Sequence, residues 1–242
     1  MSDSTNISAQ KPSPAVLLGS SSCNTGFTSS HPPATSPDPT LESNQHRHHA
    51  EGRQSSAAAA AAELPSLKVK LRSALRQFPD FPSEGILFED IMPIFADPIL
   101  HEMLVTALVT HCQTAFGKVD AVVALESRGF LFGPSVALRL GAAFVPVRKQ
   151  GKLPGPVERA EYQKEYGVDV FEMQQGAIKE GWRCVVMDDL IATGGSAAAA
   201  GTLISKMAGN LLEYIFLIEL DFLKGRDKLD APIYTLLSTQ EK

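Results

Sequence analysis

The chain has 242 residues, 44% of them hydrophobic and 20% charged, with a formal net charge of −5 at pH 7. That is enough apolar material for one domain with a sizeable core. The acidic balance and the lack of a basic block argue against a nucleic-acid platform, and no uninterrupted apolar stretch is long enough to cross a bilayer.

The averages hide a division near the start. Residues 1–63 are dominated by Ser, Pro, Ala, Thr, Asn and His, with Phe27 the sole aromatic. Such a segment buries too little apolar surface to offset its ordering entropy, so a disordered low-complexity tail is expected, followed by one domain over 64–242. His31, His46, His48 and His49 have no cysteine or carboxylate framework beside them and read as surface histidines rather than a metal site. The first basic residue is Lys11, preceded by Asp3, which does not fit an Arg-rich, acid-poor transit peptide. Cys23, Cys112 and Cys184 are widely spaced and odd in number, the pattern of a reduced, cytoplasmic protein.

In chain order, Ser66 is placed to cap a helix carrying Leu67, Leu71, Ala74, Leu75 and Phe78. The run from Phe78 to Gly85 breaks it, and Ile86-Leu87-Phe88 leads into a loop. Asp97-Pro98 starts a helix that runs to about Thr114. Val119 to Leu125 reads as a strand, Phe130 to Leu140 as a helix and Ala142 to Val147 as the next strand. A long polar loop is expected from Arg148 to about Asp169, and a loop of that length in a compact domain is usually functional. Strands follow at Val170–Met173, Arg183–Met187, Glu213–Leu220 and Ile233–Leu237. Alternating helix and strand predict an α/β fold with a largely parallel central sheet flanked by helices, whose ligands bind beyond the carboxyl ends of the strands.

The most informative stretch is Val185-Val186-Met187-Asp188-Asp189-Leu190-Ile191-Ala192-Thr193-Gly194-Gly195-Ser196. A buried strand, a small-residue loop and a helix N-terminus make a ready anion site. Gly194 and Gly195 allow close backbone approach, and Thr193 and Ser196 add hydroxyl donors. The loop has neither the lysine of a Walker A motif nor three-glycine dinucleotide spacing. Carboxylates beside a phosphate make sense only if the ligand also offers hydroxyls or a metal-bound group, as a ribose 5-phosphate does. The plain alternative is a strand-to-helix turn capped by Asp and Thr.

Leu125-Glu126-Ser127-Arg128-Gly129-Phe130 is a second strand-to-helix loop. An arginine at a helix N-terminus opposes the dipole unless an anion sits there too, so Arg128 either clamps a pyrophosphate with Ser127 or pairs with Glu126. Arg148-Lys149-Gln150-Gly151-Lys152-Leu153-Pro154-Gly155 sets three cations past a strand end, either a solvated surface or pyrophosphate ligands on a closing lid. Glu165, in Tyr162-Gln163-Lys164-Glu165-Tyr166-Gly167, is the nearest acid or base if that loop closes.

These strings, with Phe78-Pro79-Asp80-Phe81-Pro82, Gly85-Ile86-Leu87-Phe88, Glu219-Leu220 and Leu223-Lys224-Gly225-Arg226, resemble the adenine phosphoribosyltransferase family of type I phosphoribosyltransferases. The likeness covers about Leu67 to Leu237, and Ser196-Ala197-Ala198-Ala199-Ala200-Gly201 is most similar to fungal members. It implies the type I fold with a hood and a mobile catalytic loop. It also implies a purine salvage transferase joining adenine to 5-phosphoribosyl-1-pyrophosphate (PRPP) to give AMP and pyrophosphate. Ala192, Thr193, Gly194, Gly195 and Ser196 would hold the 5′-phosphate, and Asp188 and Asp189 the ribose hydroxyls. Ser127, Arg128, Lys149 and Lys152 would bind pyrophosphate, with Arg148 reaching into the neighbouring site of a homodimer. Leu87, Phe88 and Glu89 would form the adenine pocket, Phe88 stacking on the base, and Glu165 would sit over the reacting centre. The Glu126–Ser127 peptide would be cis, and Mg²⁺ would be held mainly by PRPP oxygens. Glu89 departs from the many members with a basic residue there. The alternatives are salvage of a 6-oxo purine, against which the Phe88 hood speaks, and a PRPP-sensing regulator, which would be expected to lose Lys149, Lys152 or Glu165.

Overall fold

The computed structural model describes residues 62–81, 84–163 and 167–240. Residues 62–74 are helical (α1), and Leu64, Leu67 and Leu71 pack on the core. Ser66 therefore lies inside the helix rather than at its cap, because Ala62 and Glu63 are good helix formers and carry it further upstream. Phe78 does not belong to its face. The helix stops short of Pro79, whose ring disfavours the helical conformation in the residue before it. Arg76–Pro79 (β1) instead pairs antiparallel with Leu87–Asp90 (β2), setting Phe78 opposite Phe88.

Met92–Ala96 (α2) leads into Pro98–Phe116 (α3), whose start is the expected one. The Asp97 carboxylate accepts from the backbone N–H groups of Ile99 (2.8 Å) and Leu100 (3.4 Å), with Pro98 at the first helical position. Then come Ala121–Leu125 (β3), a 3₁₀ turn at Arg128–Leu131, Gly133–Leu140 (α4) and Ala143–Lys149 (β4). Val157–Gln163 (β5), Val168–Gln174 (β6), Arg183–Ile191 (β7), Gly195–Lys206 (α5), Asn210–Leu220 (β8) and Ile233–Gln240 (β9) follow.

The main sheet has the order β5-β6-β4-β3-β7-β8-β9. Neighbours from β4 to β9 run parallel, while β6 and β5 add antiparallel at one edge, so the sheet is largely parallel as its helix–strand alternation predicts. Alternate residues feed two apolar clusters. Val122, Ala124, Val185 and Met187 pack with α3 and α4 on one face, and Val123, Leu125, Val186 and Phe216 pack with α5 on the other.

Two further expectations are corrected. The long polar loop after Arg148 is a turn followed by the β5–β6 hairpin, with Ala160, Tyr162 and Phe171 buried against the sheet. Charged residues at 158, 159 and 161 hide that strand's alternation in the sequence. Strand β7 also does not end at Met187: Asp188, Leu190 and Ile191 still pair with Phe216, Ile218 and Glu219 of β8.

Candidate active site

Because Asp188 and Asp189 are strand residues, they point to opposite faces of the sheet end. Asp188 lines a cavity of about 280 Å³, and Asp189 lines a smaller one of about 40 Å³. Arg128 and Leu190 belong to both walls, so the two cavities are neighbours.

The larger cavity is lined by Ala192–Ser196, which run from the end of β7 into the first turn of α5. Gly194 holds φ +77, a left-handed value that glycine adopts freely, and a β-carbon there would lie 2.2 Å from the Gly225 carbonyl oxygen. Arg128, Lys149 and Glu126 line the same cavity. Gly129 lets the 3₁₀ turn lie against β7, since a β-carbon there would be 2.7 Å from the Met187 carbonyl oxygen. The Glu126–Ser127 peptide is cis.

The ion pairs differ from the simplest reading. Arg128 bonds not Glu126 but Asp189, with Nε 2.9 Å from Oδ2 of a carboxylate whose residue is 4% exposed. Glu126 is taken by Arg148, whose Nε (3.2 Å) and Nη2 (3.0 Å) donate to it, and by the backbone N–H of Lys149 (3.1 Å). Those bonds hold the Glu126 carboxyl below its ordinary range. Burial pushes the Asp188 carboxyl well up, and the adjacent Asp189 adds to it. Burial raises Asp189 as well, against the pull of Arg128. A buried carboxylate pair of this kind, open to a cavity, favours a ligand that brings hydroxyl donors or positive charge.

The smaller cavity lies under the β1–β2 ribbon, with Leu87, Phe88 and Glu89 on one side and Leu190, Ile218 and Leu220 on the other. The Phe81 ring meets Phe88 edge-on at 5.1 Å. Glu89 Oε1 accepts from Gln77 Nε2 (3.1 Å), so its carboxylate braces the ribbon.

Of the residues singled out in the sequence, Ala192–Ser196, Asp188, Arg128 and Lys149 come together in the larger cavity, and Leu87, Phe88, Glu89 and Asp189 in the smaller. Ser127, Arg148 and Lys152 are outside both walls, and Arg148 Nη1 donates to the Lys152 carbonyl (3.2 Å). Glu165 lies outside the described residues. Sequence reasoning gave no site role to Glu126, Tyr162, Phe171 or Phe216, which line the cavity. Nor did it single out Glu172, 1% exposed, which accepts from Arg159 Nε (2.8 Å) and the Gly151 N–H (2.9 Å) and so ties the cationic turn to β6. Only Glu126, beside Ser127-Arg128, carried a signal that could have found it.

A largely parallel sheet whose strand end carries two carboxylates, a glycine loop and nearby cations fits the class of phosphorylated-ribose transferases. The phosphoribosyl transferase domain family matches residues 98–241. The adenine phosphoribosyltransferase of Yarrowia lipolytica is 61% identical over 180 residues, covering 74% of this chain and 99% of that one. That of Debaryomyces hansenii is 58% identical over 178 residues, covering 74% and 95%. The crystal structure of the Saccharomyces cerevisiae adenine phosphoribosyltransferase, complexed with an imino-altritol bisphosphate and adenine, superposes with a TM-score of 0.70 at 58% identity, covering 72% of this chain and 99% of that one. The chain belongs to the adenine phosphoribosyltransferase family and is a glycosyltransferase.

Proposed function

We propose that the two neighbouring cavities take PRPP and adenine and join them to AMP and pyrophosphate in purine salvage. The observation that carries this reading is their shared wall at Arg128 and Leu190, with an anion cradle on one side and an aromatic hood on the other. The 5′-phosphate sits on Ala192, Thr193, Gly194, Gly195 and Ser196, at the positive end of α5. Asp188 accepts from the ribose hydroxyls on the cradle side, Asp189 on the base side is held by Arg128, and Phe88 stacks on adenine between Leu87 and Glu89. Arg128 and Lys149 face the pyrophosphate, joined by Ser127 and Lys152. Arg148 is assigned to the second site of a homodimer on the family resemblance; within this chain its guanidinium is held by Glu126.

Adenine N9 attacks the anomeric carbon as the bond to pyrophosphate breaks, and positive charge develops on the sugar. Preorganised charge is then the main lever. Glu165, which lies outside the described residues, is the residue proposed to act there, as a base taking the N9 proton or as a counter-charge.

Mg²⁺ suits this wall as an ion carried by the substrate, since it keeps water and phosphate oxygens as ligands with one or two carboxylates. The acidic side chains among the described lining residues are Asp188 and Glu126, and Glu126 is already engaged by Arg148. Held mainly by PRPP oxygens, with Asp188 the nearer lining carboxylate, such an ion would supply charge neutralisation of the leaving group. No described helix is long and apolar enough to cross a membrane, and the buried free thiols of Cys112 and Cys184 suit the reducing cytoplasm.

The test is AMP formation by the purified full chain from adenine, PRPP and Mg²⁺, with hypoxanthine and guanine in parallel. Turnover with adenine alone is expected. Turnover with a 6-oxo base overturns the assignment of the hood, and PRPP binding without any product overturns the catalytic reading.

A further inference from the structure

Two strings in the sequence, Glu219-Leu220 and Leu223-Lys224-Gly225-Arg226, have no part in the reaction as described so far. Strand β8 passes through Ile218 and Leu220, which wall the smaller cavity, and the chain then turns through Asp221–Leu223 and Gly225–Lys228. That turn returns to the cradle. A β-carbon at Gly225 would lie 2.3 Å from the Ala192 carbonyl oxygen and 3.0 Å from the Gly194 nitrogen. The two backbones touch through paired glycines.

The next residue secures this contact. Arg226 Nε (2.6 Å) and Nη2 (2.5 Å) donate to the two carboxylate oxygens of Glu219, whose side chain is 4% exposed. Nη2 also donates to Thr235 Oγ1 (3.1 Å), and that hydroxyl donates to Glu219 Oε2 (3.0 Å). One guanidinium thus ties the turn to β8 and β9. A planar fork on a carboxylate fixes orientation as well as proximity, which a lysine does not do.

We propose that the Glu219–Arg226–Thr235 knot is a positioning device for PRPP. It presses the Gly225 backbone against the cradle and so sets the cradle's shape, while β8 carries the base cavity's wall at a fixed reach from it. The proposal rests on the reading of the larger cavity as the PRPP site.

Arg226→Lys keeps the charge and loses the fork. It is expected to raise the KM for PRPP about tenfold, with the KM for adenine within about twofold. Thr235→Val, a milder change, is expected to raise the KM for PRPP about threefold with little loss of folded protein. As a control, Arg139→Ala removes an exposed ion pair with Glu102 (2.8 Å) on α3, far along the chain from the cradle, and should leave both KM values unchanged. If both Arg226→Lys and Thr235→Val lower only Tm, with the KM for PRPP and calorimetric PRPP binding as in the parent, the knot is merely structural and the proposal is overturned. If the parent chain itself does not bind PRPP, the reading of the cavity fails instead.

Discussion

The cradle and the hood lie on either side of the end of β7 and are built in opposite ways. At 192–196 the chain offers mainly backbone, closed in by helix α5 and by Gly194 packed on Gly225. In the hood it offers side chains on a two-stranded ribbon, where Phe78 is 46%, Phe81 52% and Leu87 41% exposed. A ribbon of two strands is marginally stable alone, and this one is braced by exposed cross-strand pairs, Arg76 with Asp90 and Gln77 with Glu89. The contrast teaches that the 192–196 cradle is inseparable from the core, whereas the ribbon is an attachment to it.

The sharpest break of that contrast is Gly194→Ala, which puts a methyl into the Gly225 carbonyl at a left-handed φ. A loss of about 100-fold in kcat/KM for PRPP is expected, close to 3 kcal/mol of transition-state binding, together with a lower Tm. A change below about threefold in PRPP saturation kinetics would show that the cradle tolerates displacement. Phe88→Ala should act on the other side alone. It is expected to raise the KM for adenine about tenfold, the scale of one lost aromatic stack, with the KM for PRPP and Tm nearly unmoved.

Asp188→Asn should separate function from stability. Burial raises the Asp188 carboxyl in the folded chain, so the unfolded chain releases its proton first as pH climbs past about 3.9. The folded state therefore loses stability between that pH and the raised value, and carries the loss at neutral pH. Asn removes it. A Tm higher by about 2–4 °C at pH 7, the shift that about 1 kcal/mol produces at this size, should accompany weaker PRPP turnover, and the Tm gain should vanish near pH 3. Glu126 runs the other way. Its carboxyl is depressed by Arg148, so that pair's contribution is complete above the unfolded glutamate value and is lost as pH falls through the lower folded one. The smallest effect is expected at the ribbon's rim, where Arg76→Ala removes a pair whose arginine is 62% exposed. About a twofold rise in the KM for adenine, measured beside Phe88→Ala, fits the modest worth of such pairs.

The sequence was most readable where structure is made by near neighbours. Asp97-Pro98 marks the start of α3 because a capping carboxylate needs only the N–H groups two and three residues on. The run from Val185 to Ser196 marks a strand, a cradle and a helix because apolar content, glycine freedom and helix ends are all local. Even there the strand's end was misjudged, since the pairing that extends β7 through Asp188 comes from β8. The ribbon at 76–90 and the first hairpin strand at 157–163 were unreadable for a related reason: these strands are short or studded with charges, and the partner strand completes them, whereas Val170–Met173 of β6 reads as a strand.

By itself, then, the sequence determined the α/β alternation, the strand–glycine loop–helix run at 185–196 and the kinds of residue gathered near it. Tertiary structure decided which charges meet. Arg128 has Glu126 two residues away and takes Asp189, Glu126 takes Arg148, and Gly194 rests on Gly225. Charge and size say that a group needs a partner. Only the register of parallel strands, which sets distant residues side by side, says which one it gets.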